Sequence, residues 1–179
     1  MKNFILTVIF LLSQNHMFSQ TKLVPVNEGS SIHFIIKNFG LKTNGNFSGL
    51  KGKINFDAAN STNSSFDVTV DAASVNTDNS SRDEHLKKES YFNVEKFNTI
   101  HLISTSIKPS DKSGEYLFVG SLTIKGISKG VKFNFTAQKQ KEGFLFNGSF
   151  NINRRDFNVG GSSFPLSETV LVTLNVLAK

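Results

Sequence analysis

Apolar and polar residues alternate with a period of two along most of the chain, and no other feature restricts the fold so sharply. Ile32, Phe34 and Ile36 fall on one side of such a run, with His33 and Lys37 on the other. Phe66, Val68 and Val70 alternate with Asp67, Thr69 and Asp71. Similar patterns occupy residues 52–56, 100–107, 116–124, 131–137, 144–152 and 170–176. Successive side chains of a strand point to opposite faces, so this pattern predicts half-buried β-strands, about eight in all. Between them stand turn signals: Asn44-Gly45 predicts a hairpin, and Lys125-Gly126, Lys129-Gly130 and Glu142-Gly143 punctuate later strands. Short strands at such spacing suggest an antiparallel sandwich or barrel in one domain.

The alternation lapses once, between Asn79 and Phe92. Ser81 followed by Glu84 fits a capping box, which predicts a short helix near residues 81–90. Leu86 and Phe92 are its apolar contacts. Such an insert is either a lid on the barrel or a connection packed against one end.

Composition sharpens what the interior must be. The chain has 18 Phe but only two Tyr and no Trp. Buried Tyr and Trp need a partner for their polar end and Phe does not, so an interior of Phe is dry. It is either a packed core or the wall of a lipid cavity. The chain has no Cys, which excludes disulfides, thiolate catalysis and Cys-based metal sites. Residues His33, His85 and His101 are widely spaced and suggest no zinc site. No phosphate-binding loop or nucleophile elbow occurs, and neither a catalytic residue nor a cofactor is expected.

The first residues read as a secretory signal. Lys2 precedes an apolar run from Phe4 to Leu12, and Met17-Phe18-Ser19-Gln20 follows. Cleavage is expected at 19/20 or 20/21, leaving residues 20–179 as the mature domain. The net charge of +6 is spread over scattered lysines with no basic helix, so nucleic acid is not an expected partner.

Several strings carry a family resemblance. They are SSIHFIIKNFGL, GNFSGLKGKINFD, ASVNTDNSSRDEHLKKESYFNVEKF, VGSLTIKGISKGV and FNINRRDFNVGG, in that order, from about Lys22 to Lys179. The chain thereby resembles the YceI-like family. The resemblance implies an all-β, eight-stranded, lipocalin-like up-and-down barrel in the bacterial periplasm, holding a polyisoprenoid such as a quinone tail.

On both grounds the expected function is a periplasmic or secreted carrier of a long apolar lipid, without enzymatic activity. The alternative is a ligand-free interaction protein serving a membrane partner such as a quinone-reactive cytochrome, or the membrane surface. The expected wall comprises Phe34, Ile36, Phe56, Val68, Leu86, Phe92, Leu122, Phe133, Phe135, Phe146 and Phe150. Of these, Phe146 is expected to matter more to binding than to stability. An ion pair of Arg82 with Asp156 is expected to pin the lid. His85 is either a structural histidine or a donor to a lipid head group.

Overall fold

In the computed structural model, which describes residues 21–162 and 164–179, the alternating runs form ten antiparallel strands. The expected leader at 1–19 lies outside the described residues. Strands β1 (Thr21–Leu23), β2 (Pro25–Asn38), β3 (Leu41–Phe47), β4 (Lys51–Phe56) and β5 (Ser65–Asp71) come first. Helix α1 (Ser80–Lys87) follows, then β6 (Thr99–Pro109), β7 (Glu115–Ile124), β8 (Ile127–Lys139), β9 (Phe144–Asn153) and β10 (Leu166–Ala178).

These strands make one curled sheet in the order β1-β4-β5-β6-β7-β8-β9-β10-β2-β3. Strands β1 and β2 are almost continuous, interrupted at Val24, and they bring the two edges of the sheet together. Thr21 to Leu23 pair with β4, whereas Val24 exchanges both backbone hydrogen bonds with Lys179 at the end of β10 (2.8 and 3.0 Å). From there β2 follows β10 to Asn38. The expected eight staves are therefore present when β1 and β2 count as one, and β3 is an added strand on β2. Toward the other end β3 and β4 share no ladder among the described residues. There the Asn27 side chain spans the seam, donating to the Leu50 carbonyl and accepting from its amide. The result is a half-barrel, drawn together at one end and open at the other.

Two turn expectations need correction. Asn44 and Gly45 lie inside β3, opposite Ile35 and Phe34. The turn falls instead at Phe39-Gly40, both with positive φ (50° and 77°), the geometry that matches the twist of a two-residue hairpin. Gly45 is needed for another reason: a Cβ there would lie 2.2 Å from the Phe34 ring. Lys129 and Gly130 likewise sit within β8, opposite Leu122 and Ser121. Lys125-Gly126 does form its turn (φ 51° and 73°), as the Ile124–Ile127 pair requires. So does Glu142-Gly143, where the Gln140 amide donates to the Gly143 carbonyl.

The helix begins slightly earlier than its sequence signal. Asn79, not Ser81, is the N-cap, and its side chain accepts from the Arg82 amide at 2.9 Å. An Asn carbonyl satisfies the first-turn amides as well as a Ser hydroxyl does. Glu84 instead takes Lys87 as an ion-pair partner one turn on (2.7 Å).

Phenylalanines close one end of the half-barrel. The Phe56 ring meets Tyr116, Phe144 and Phe146 edge-on at centroid distances of 5.0 to 5.2 Å. Phe66 meets Phe135 at 5.3 Å and Phe146 at 5.2 Å, and Phe118 stacks on Phe133 at 4.8 Å. Gly148 makes room for this packing, since a Cβ there would sit 3.1 Å from Phe133. Each ring hides its surface, worth about 1.5–3 kcal/mol, and each well-placed pair adds about 0.5–1.5 kcal/mol. This floor is packed core.

Candidate functional site

Above the floor the same inward stripes cease to touch. They surround a cavity of about 330 Å³. Most of the apolar wall is made by residues two apart: Ile32, Phe34 and Ile36 of β2, Val68 and Val70 of β5, and Ile100 and Leu102 of β6. Leu122 and Ile124 of β7, Phe150 and Ile152 of β9, and Val170, Val172 and Leu174 of β10 complete it. A strand puts every second side chain on the same face, so the alternation in the sequence becomes an apolar lining. A small void of about 40 Å³ lies deeper among the floor rings and shares Val68, Leu102, Leu174 and Val176 with the main cavity.

The segment from α1 to Phe97 covers part of the open end. Leu86, Tyr91 and Phe92 line the cavity. Phe92 meets Phe47 of β3 edge-on at 5.4 Å, which itself lies 5.5 Å from Phe34. The helix is held by a buried threonine: the Thr77 hydroxyl donates to Asp83 (2.5 Å) and accepts from Arg82 Nε (2.7 Å), while Arg82 Nη2 donates to the Thr77 carbonyl (2.7 Å). The expected pairing of Arg82 with Asp156 is thus replaced by a local one. Asp156 is exposed on a 3-10 turn and enters no ion pair among the described residues. Asp83, six residues after Thr77, supplies the carboxylate at the helix start.

Polar groups gather at this mouth. Thr77, Arg82, His85 and Arg154 reach the cavity, whereas no Asp or Glu does so among the described lining residues. His85 packs edge-on against Tyr91 (4.9 Å) and is exposed. Arg154 is the unusual member, being only 4 % exposed with no carboxylate partner among the described residues. Carbonyls satisfy it instead: Ser167 at Nε (2.9 Å), Val159 and Gly161 at Nη1 (2.7 and 3.1 Å) and Leu166 at Nη2 (3.5 Å). Burial, followed by the charge of neighbouring Arg155, lowers its pKa from the ordinary arginine value. One side chain thereby ties the β9–β10 connection across the cavity rim. Arg154→Met keeps the stem but strands those carbonyls, so a loss of about 2–4 kcal/mol is expected in urea unfolding. A loss below roughly 0.5 kcal/mol, the size of an ordinary surface change, would show that solvent replaces the guanidinium freely.

Of the residues expected to form the wall, Phe34, Ile36, Val68, Leu86, Phe92, Leu122 and Phe150 line the main cavity. Phe133, Phe135 and Phe146 border only the small deep void, and Phe56 borders neither. Those four rings belong to the packed floor. The same alternation marks aliphatic residues as well as Phe. Ile32, Ile100, Val170, Val172 and Leu174 carry the inward signal and supply much of the lining. Arg154 and Tyr91 had no such signal, because their place depends on loops folding over the rim.

Fold and site together define an antiparallel β-barrel-type binding domain built around an apolar cavity. The chain belongs to the YceI-like family, whose domain model matches residues 24–178. It is 35% identical over 138 residues to a UPF0312 protein of Ectopseudomonas mendocina, covering 74% of this chain and 72% of that one. A UPF0312 protein of Yersinia enterocolitica is 30% identical over 167 residues, covering 88% and 85%. Among solved structures, Burkholderia cenocepacia BcnA superposes with a TM-score of 0.80 at 22% identity, over 85% of this chain and 98% of that one. The Campylobacter jejuni YCEI protein gives 0.67 at 28% identity, over 75% and 84%. A polyisoprenoid binding domain from Saccharophagus degradans also gives 0.67, at 13% identity over 90% and 99%.

Proposed function

We propose that this protein holds one long apolar lipid, of isoprenoid or isoprenoid-quinone type, in the cavity, and carries or stores it unchanged in the periplasm or outside the cell. The observation that carries the proposal is the division of the interior: phenylalanines interlock in the floor, while the upper half keeps about 330 Å³ between apolar walls. That volume falls within the roughly 300–1,000 Å³ of ordinary ligand sites. The polyisoprenoid binding named for the Saccharophagus neighbour supports the lipid class.

A flexible hydrocarbon gains about 0.8 kcal/mol for each methylene-sized unit buried away from water. A bilayer offers the same gain, so the cavity must compete by close contact, which its β-branched walls supply. Donors at the mouth without any acid beside them suit a head group bearing acceptor oxygens. Among the described residues Arg82 Nη1 has no protein partner, and His85 stands three residues on along the same helix. The amino-terminal secretory pattern supports export. No catalytic step forms part of the proposal.

Protein purified from its native source, extracted with organic solvent and analysed by mass spectrometry, is expected to yield an isoprenoid chain in near-stoichiometric amount. Repeated extracts without lipid, together with failure of the emptied protein to take up a long-chain quinone, would sink the proposal.

A further inference from the structure

Three apolar side chains project into solvent at the cavity mouth. Phe164 is 100% exposed, Phe39 75% and Leu41 74%, the highest values among the large apolar residues described. Phe39 and Leu41 flank one hairpin turn and Phe164 comes from a distant connection, yet all three share one rim. The Phe39 amide donates to the Pro165 carbonyl at 3.3 Å, which joins the β2–β3 turn to the β9–β10 connection. Asn38 and Leu166 face each other across β2 and β10, and both line the cavity.

Nothing in the fold calls for these residues. Phe39 occupies a turn position with φ of 50°, a region in which Gly, Asn and Asp are the easy occupants and a bulky residue is strained. A buried Phe would recover that cost through packing, whereas this one faces water. Just behind the tip, Lys37 and Lys42 stand opposite each other, both exposed. Neither is ion-paired with a described acid.

We infer that this rim is a docking surface for a lipid bilayer with anionic head groups. Phe39, Leu41 and Phe164 enter the head-group region, and Lys37 and Lys42 meet lipid phosphates. Preference for a bilayer over a protein partner rests on the lipid-holding reading of the cavity, because the apolar tips continue directly into its mouth. The three residues form narrow points at a hairpin tip and on one connection rather than a flat face, which suits insertion between lipids. Such binding scales with buried apolar area and with attraction to anionic lipid. A cargo molecule then passes between membrane and barrel without its chain crossing water.

Sedimentation with vesicles of phosphatidylethanolamine and phosphatidylglycerol tests this on the full mature chain. The wild type is expected to pellet with them, and Phe39→Asp/Leu41→Asp/Phe164→Asp is expected to lose about tenfold or more in partitioning. Lys37→Glu/Lys42→Glu should weaken binding to these vesicles while leaving weak binding to phosphatidylcholine vesicles unchanged. Added salt should have the same effect on the wild type. All five positions are exposed, so circular dichroism should show an intact fold. A wild type that stays in the supernatant, or a triple variant that pellets equally well, overturns the inference. So does a finding that the triple substitution abolishes self-association in vesicle-free solution while vesicles bind neither protein. Mass spectrometry of the same samples keeps cargo separate: an isoprenoid-loaded protein that ignores vesicles overturns docking alone. Vesicle binding lost in the triple variant, by a protein that never contains lipid, upholds docking and removes the carrier.

Discussion

Phe146→Ala is expected to destabilise the domain by about 3–5 kcal/mol, a large fraction of the stability of any single domain. Phe146 is 5% exposed and touches Phe56 and Phe66 at centroid distances of 5.1 and 5.2 Å, with Phe135 and Phe144 slightly farther away. Its removal leaves a hole bounded by Phe56, Phe66 and Phe135 from three other strands, and these cannot collapse into it without leaving their own partners. In urea the midpoint should fall by roughly 2 M. Lipid uptake by the fraction that remains folded should be nearly unaffected, since the main cavity lies above this ring. This reverses the expectation from alternation alone, which placed Phe146 in a lipid wall. A variant with wild-type stability but impaired lipid uptake would show that the floor is open.

The converse result is expected from Val172→Trp. Val172 lines the main cavity and is paired with Phe150 on β9 and Phe34 on β2. A Trp there projects into unfilled space, so the lipid-free protein should keep its stability within about 1 kcal/mol. It should, however, lose lipid. Displacing two or three methylene-sized units costs about 2 kcal/mol, roughly thirtyfold in affinity. The natural chain has no Trp, so this substitution also provides a single fluorescent reporter. Its emission should remain unquenched by an added isoprenoid quinone at concentrations that saturate the wild type by extraction. Strong quenching with undiminished uptake would mean that the lipid enters regardless, or binds elsewhere. Taken together, the two substitutions separate core from cavity, one costing stability and the other occupancy.

The strands were legible because their cause is local. The pleat alone turns alternation at Phe66, Val68 and Val70 into a buried face, and β5 spans Ser65–Asp71 accordingly. The helix was legible for the same reason, although Asn79 rather than Ser81 caps it. Asn44-Gly45 misled because its glycine answers a distant demand, the Phe34 ring on the neighbouring strand. Arg82 was assigned a remote partner when Thr77 and Asp83 lay within reach on its own segment. Arg154 could not be placed at all, because the carbonyls that hold it belong to a connection that returns only after β9 ends.

By itself, then, the sequence determined which side chains face inward, since that follows from the two-residue repeat of an extended backbone and requires no knowledge of neighbours. Whether an inward ring meets another ring or empty space was decided only in three dimensions. Phe146 and Phe150 are separated by two alternations on β9, yet one is locked among Phe56 and Phe66 while the other, stacked on Phe133 by one face, also borders the cavity. The difference arises from where β1 draws the sheet together and where β3 leaves it apart. Sheet curvature sets the distance between opposite walls, and no single strand contains that distance.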